Sequence, residues 1–137
     1  MRTRLAVNID VDDVEEAIRF YTEALGLQVG RRLEGGFTEL AGADVPIFLL
    51  PAPRGSMPFP GATRSRDYVR HWTPVHLDVV VDDIDAALAR ARAAGARVEL
   101  PVAQHPFGKL AVLSDPFGHG FCLLQLQGRG YGAIEEG

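Results

Sequence analysis

The stretch 6–26, AVNIDVDDVEEAIRFYTEALG, returns in altered form at 76–95 as HLDVVVDDIDAALARARAAG. With a shift of 70 residues (77 minus 7), Val7, Ile9 and Val11 fall on Leu77, Val79 and Val81. Asp12-Asp13 falls on Asp82-Asp83, Val14 on Ile84, Ala17 on Ala87 and Ile18 on Leu88. A strand, an acidic turn and a helix repeated at this period make a chain of two similar modules.

Within each copy the periodicity changes once. Residues 5–11 alternate, with Leu5, Val7, Ile9 and Val11 apolar and Ala6, Asn8 and Asp10 small or polar. Residues 76–81 do the same, with Leu77, Val79 and Val81 against His76, Asp78 and Val80. That is the period of a half-buried strand. An aspartate pair follows, suited to capping a helix because a carboxylate accepts orphan backbone N–H groups. Asp13 with Glu16 three residues on has the form of a capping box. The apolar spacing then becomes helical, through Val14, Ala17, Ile18, Tyr21 and Leu25 and again through Ile84, Ala87, Leu88 and Ala91. Gly26 and Gly95 stand where a helix end wants a left-handed residue. Each apolar strand face is expected to pack on its own helix. The opposite face, bearing Asn8, Asp10, His76 and Asp78, must look elsewhere.

Composition excludes several classes of function. The chain has 137 residues, 47% apolar and 23% charged, which suits one compact domain or two small modules. A net charge of −4 argues against a nucleic-acid binder that neutralises phosphates. The single cysteine, Cys122, allows no intrachain disulfide and fits a reducing compartment. No apolar run approaches the ~20 residues of a membrane span, and the opening MRTRLAVNID has no apolar core of a signal peptide. The expected setting is cytoplasmic.

After the first helix, strands are expected at 28–33, 37–40 and 45–50, so residues 1–52 form the first module. Residues 53–74 read as an inter-module linker, with Pro53, Pro58, Pro60 and Pro74 and four arginines, Arg54, Arg64, Arg66 and Arg70. One reading makes this a solvated crossover. Another makes it a lid that brings Tyr68, His71 or Trp72 to a ligand, with arginines suited to an anionic group. Residues 75–128 form the second module, with strands at 97–100, 109–114 and 119–127. Residues 129–137 form a glycine-rich tail.

This pattern resembles the vicinal oxygen chelate superfamily, which includes glyoxalase I, extradiol dioxygenases and bleomycin-resistance proteins. The residues that carry the resemblance are Asp13-Val14, Phe20-Tyr21 and Leu25-Gly26-Leu27 in the first module. In the second they are His76, Asp83-Ile84, Gly95 and Asp115-Pro116-Phe117-Gly118 with the apolar strand to Gln125. The resemblance implies an α+β fold of two tandem βαβββ modules whose strands form a curved mixed sheet around a central cleft, with a homodimer as the usual assembly. Fold and function separate here, because the same scaffold hosts metal enzymes and metal-free drug binders.

In metal-using members, the ligands come from the first and last strand of each module. Carried onto this sequence, those positions are Ala6, Phe48, His76 and Cys122. Ala6 and Phe48 cannot ligate, and a thiol stands at 122 where members carry Glu. Tight divalent sites need several suitable ligands. A divalent metal is therefore disfavoured and no cofactor is expected. If a metal does bind, its ligands are His76 and Cys122.

The expected ligand-binding residues are Asn8, Asp10, Phe48, Trp72, His76, Phe107 and Cys122. His76 and Asp78 are the candidate catalytic pair, since a histidine beside a carboxylate can do acid–base work. Cys122 reads as a small buried hydrophobe rather than a nucleophile, with no basic sequence neighbour to lower its pKa. His119 reads as a turn residue. The leading expectation is a glyoxalase/bleomycin-resistance-like protein that binds a small organic molecule, aromatic or anionic, in the inter-module cleft. The alternatives are a metal-dependent lyase, isomerase or dioxygenase anchored on His76, and a metal-free acid–base enzyme using His76 with Asp78. Enzyme and binder remain open at this point.

Overall fold

Asp13 and Asp83 start the two helices in the same way. Each sits in extended backbone, and its carboxylate accepts the N–H of the third residue on, Glu16 or Ala86, at 3.1 Å. Both helices stop on a glycine with positive φ, Gly26 at 70° and Gly95 at 116°. The repeat in the sequence is thus a repeat of start signal, helix and stop signal.

The computed structural model describes residues 1–137. It divides into two compact units, Met1–Val69 and Arg70–Gly137. Each unit is a βαβββ module, and the fold is α+β with two four-stranded mixed sheets.

The first module runs β1 (Val7–Val11), α1 (Val14–Leu25), β2 (Gln28–Arg32), β3 (Thr38–Ala41) and β4 (Ile47–Pro51). Its sheet order is β1-β4-β3-β2, with β1 parallel to β4 and the other pairs antiparallel. α1 buries Ala17, Ile18, Phe20, Tyr21 and Ala24, and Leu49 and Leu40 are buried in the sheet. Leu5 falls outside the expected strand and is 67% exposed. The ladder between β1 and β4 begins at Val7, whose N–H reaches the Pro46 carbonyl, so nothing covers Leu5.

The second module runs β5 (Leu77–Val80), α2 (Ile84–Ala94), β6 (Arg97–His105), β7 (Gly108–Ser114) and β8 (Gly120–Leu126). Its order is β5-β8-β7-β6, again with one parallel pair, β5 and β8. Ile84, Ala87, Ala91 and Ala94 of α2 are buried, as are Leu113 and Leu123 in the sheet.

β6 is longer than the 97–100 expected, because Pro101 does not end it. β6 is an edge strand with irregular register between Val98 and Ala103, and such a strand tolerates a residue that cannot donate. The tail also has structure. A short 3₁₀ turn, Gly130–Ile134, sets Tyr131 5.4 Å from the Phe107 ring.

Candidate functional site

Parallel pairing of β5 with β8 sets Asp78 opposite Cys122. The ladder continues from Cys122 to Val112 on β7 and from Val112 to Leu100 on β6. A row of four side chains, Asp78, Cys122, Val112 and Leu100, therefore crosses the second sheet. His76 stands just ahead of β5 and joins the charged end of that row. Its Nδ1 lies 3.1 Å from Asp78 Oδ1 and 3.9 Å from Cys122 Sγ. The three donor atoms lie within 4.8 Å of one another.

Beside this row opens a cavity of about 430 Å³, within the size range of small-molecule sites. Trp72, Leu100, Val112 and Phe121 give it apolar walls, and Cys122 lies in its floor. His76, Arg70 and Glu99 supply its polar groups. Arg70 and Glu99 form a fork: Nε to Oε2 at 2.6 Å and Nη2 to Oε1 at 2.9 Å. The arginine holds the Glu99 carboxyl below its ordinary range, and the glutamate raises Arg70 in turn. Arg70 Nη1 also donates to the His71 carbonyl.

Cys122 is buried, and burial, reinforced by the nearby Asp78 carboxylate, pushes its thiol up to about 11. A proton therefore stays on sulfur at neutral pH. The thiolate, the form that acts as nucleophile, is correspondingly scarce.

The corresponding row of the first module has a different character. Asn8 pairs with Phe48, and Phe48 with Glu39. Phe48 makes an edge contact with Phe37 at 5.1 Å, and Glu39 is held by Arg31. Asp10 binds Arg66 at 2.8 Å, and Arg66 also reaches Ser56 Oγ and the Met57 carbonyl. Thus residues 53–69 fasten onto the first module, helped by the Tyr68 hydroxyl donating to the Ala52 carbonyl at 2.6 Å. Arg54, Arg66 and Arg70 each face a carboxylate of the chain itself, namely Asp12, Asp10 and Glu99.

The structure brings together Trp72, His76, Asp78 and Cys122 from the residues singled out in sequence. Asn8, Asp10 and Phe48 lie in the first module. Phe107 stacks on His105 with ring centroids 5.1 Å apart and does not line the cavity. His119 lies in the 115–119 turn, where its N–H donates to buried Asp115. Sequence reasoning missed Glu99, Leu100, Val112 and Gly120. They come from strand positions with no local chemical signature, and only sheet register identifies them.

A family model described as a glyoxalase-like domain matches residues 6–124. The protein Mb0911c of Mycobacterium bovis is 30% identical over 135 residues, covering 88% of this chain and 82% of its own length. CFP32 of Mycobacterium tuberculosis is 34% identical over 125 residues, but the chain spans only 40% of its length. Among solved structures, the antibiotic-binding protein TnmS3 from Streptomyces sp. CB03234 is similar with a TM-score of 0.65 and 27% identity, over 93% of this chain and 98% of that one. A glyoxalase/bleomycin-resistance/dioxygenase superfamily member from Sphaerobacter thermophilus shares the fold, with a TM-score of 0.68 at 22% identity over 91% of this chain and 98% of its own.

Proposed function

The chain belongs to the glyoxalase-like domain family, within the vicinal oxygen chelate superfamily, and from that premise we propose that it binds a small organic molecule without the superfamily's usual metal set. The observation that carries this reading is the cavity in the second module. It joins apolar walls from Trp72, Leu100, Val112 and Phe121 to a few polar groups at one side. Similarity to an antibiotic-binding protein supports the same reading.

The superfamily's usual ligand set does not fit this chain. Ala6 and Phe48 carry no donor, and Asn8, opposite Phe48, brings only an amide. A hard divalent ion would thus lack half of its expected ligands. The cavity's charges also bear on the ligand. Glu99 occupies the Arg70 fork, so the arginine offers an incoming anion little uncompensated charge. A neutral, flat, aromatic molecule is favoured over an anionic one.

The test is a protein-observed NMR screen of the chelator-treated chain with a panel of one- and two-ring aromatic fragments. Shifts should cluster on the Trp72 indole, Leu100 and Val112 and disappear in Leu100→Arg. Leu100 is 60% exposed, so that change fills the cavity without disturbing the core. No saturable shifts, or shifts centred elsewhere, would remove the reading.

A second reading rests on the 3.1 Å pairing of His76 Nδ1 with Asp78. A carboxylate that accepts Nδ1–H leaves Nε2 as a proton acceptor, the arrangement of an acid–base dyad. Fragments with an acidic C–H would then take up deuterium from D2O in the presence of the protein, and His76→Gln would stop it. Uptake no faster than in buffer counts against the dyad.

A further inference from the structure

Glu99 and Leu100 are neighbours in β6, yet both line the cavity. In a regular strand successive side chains point to opposite faces. The register of β6 against β7 shifts between Val98 and Leu100, and that irregularity lets two consecutive side chains reach one site. Leu100 extends the apolar wall. Glu99 adds a charge, which an apolar wall does not need.

The partner of Glu99 shows what that charge does. Its carboxylate accepts from Arg70 Nε at 2.6 Å and from Nη2 at 2.9 Å, the two parallel bonds by which a guanidinium grips a carboxylate. Arg70 Nη1 donates to the His71 carbonyl. Gly120 gives the guanidinium room, since a Cβ there would strike Cζ and Nη2. Glu99 also accepts from the hydroxyl of buried Ser114, so β7 holds the carboxylate as well. The cavity thus contains a bidentate anion fork that is already formed, and the chain's own carboxylate fills it.

We propose that Glu99 is the specificity-determining residue of the cavity: it occupies the Arg70 fork in place of a ligand carboxylate, and so sets the site for neutral aromatic molecules and against aromatic carboxylates. This rests on the ligand-binding reading above and adds to it the residue that decides ligand charge. An anion entering the cavity must displace Glu99 or share Arg70 with it, and two carboxylates at one guanidinium repel each other. A neutral ring meets no such cost. Removing the Glu99 charge reverses the selection. The His71 carbonyl and Gly120 still place the guanidinium at the cavity, and its Nε and Nη2 are then open to a ligand carboxylate. An ion pair that only tied Arg70 to β6 would alter stability and leave the charge preference untouched.

The test measures dissociation constants for two fragments, naphthalene carboxamide and naphthalene carboxylate, by NMR titration of the full chain at neutral pH. The rings are the same and only the charge differs. The wild type should bind the carboxamide more tightly. Glu99→Ala frees both fork donors and should move the preference toward the carboxylate at least about tenfold, the scale of a charge-assisted pair. Glu99→Gln keeps an acceptor for Ser114 and for Arg70, and should move it the same way by less. Arg70→Gln added to Glu99→Ala should cancel the gain, because the cation is gone. The Arg70 and Glu99 side chains are 27% and 25% exposed, so these changes spare the core, and Glu99→Gln carries the test should Glu99→Ala not fold.

A wild type that binds the carboxylate as tightly as the carboxamide would overturn the proposal. So would an unchanged preference in both Glu99 variants, or a gain that survives the loss of Arg70. Carboxamide binding without a switch removes this inference alone. Carboxylate capture by Glu99→Ala, with neither fragment bound by the wild type, supports the fork and removes the neutral-ligand reading. No binding by any of these chains removes both.

Discussion

The guanidinium of Arg70 occupies the space that any side chain at Gly120 would need. A Cβ built on Gly120 would come within 2.7 Å of Arg70 Cζ and closer still to Nη2. The same guanidinium is forked onto Glu99, so one glycine on β8 permits an ion pair between the start of the second module and β6.

Gly120→Ala should therefore displace Arg70 and break the fork. Both partners are about one-quarter exposed, so the cost is modest, about 1 kcal/mol by urea denaturation. The decisive measurement is a double-mutant cycle. In an Arg70→Ala background the added methyl should cost almost nothing, because the atom it strikes is gone. Additive losses would show that Gly120 is needed for another reason.

Cys122 gives a pH signature. Its thiol is raised from 9.0 to about 11 by burial, so the folded chain holds that proton longer than the unfolded chain does. The stability from this group is fully present below about pH 9 and is lost as pH rises toward about 11, because the unfolded chain ionises first. Wild type should lose more stability across that window than Cys122→Ala. Alkylation by iodoacetamide at pH 7–8 should run at least about a hundredfold slower in the folded chain than in the denatured one. Equal rates would place the thiol in water.

Glu99 shifts in the opposite direction. Arg70 depresses its carboxyl, so the stability it contributes is present above the ordinary carboxylate range and is lost as pH falls through the lowered value. Acid unfolding of Glu99→Gln should show a shallower loss than wild type below about pH 4, a window set by the ordinary glutamate value.

Asp115 holds the 115–119 turn. Its buried Oδ1 accepts the N–H groups of Phe117 and His119, each at 2.8 Å. Asp115→Ala would strip both donors of their partner and should cost about 2–3 kcal/mol. Asp115→Asn keeps an acceptor and should recover part of that loss. A change below about 0.5 kcal/mol would mean that water replaces the carboxylate freely.

The helix caps are a simpler case. Asp13→Ala and Asp83→Ala should each cost about 1 kcal/mol, and serine at either position should restore most of it. Helix content and urea midpoints together would show whether the loss is local to the capped helix.

Much of this architecture depends on local signals. The caps, the helical stripes and the glycine stops act over a few residues, so they could be read one residue at a time. Strand ends were less visible. Leu5 looked like the start of β1, yet pairing with β4 begins only at Val7. Pro101 looked like a stop, yet an irregular edge strand carries it. His76 and Asp78 were readable as a pair because alternation puts i and i+2 on one strand face.

The amino-acid order alone determined that there are two related modules, where each helix begins and ends, and which strand face carries polar groups, because all of these follow from backbone periodicity and capping within a few residues. Tertiary structure decided that Cys122 meets His76 across 46 residues and that Arg70 finds Glu99 across 29. The physical reason is strand register: which residue lies opposite which depends on how distant segments pair, and pairing is chosen by burial over a whole sheet face rather than by either segment's own sequence.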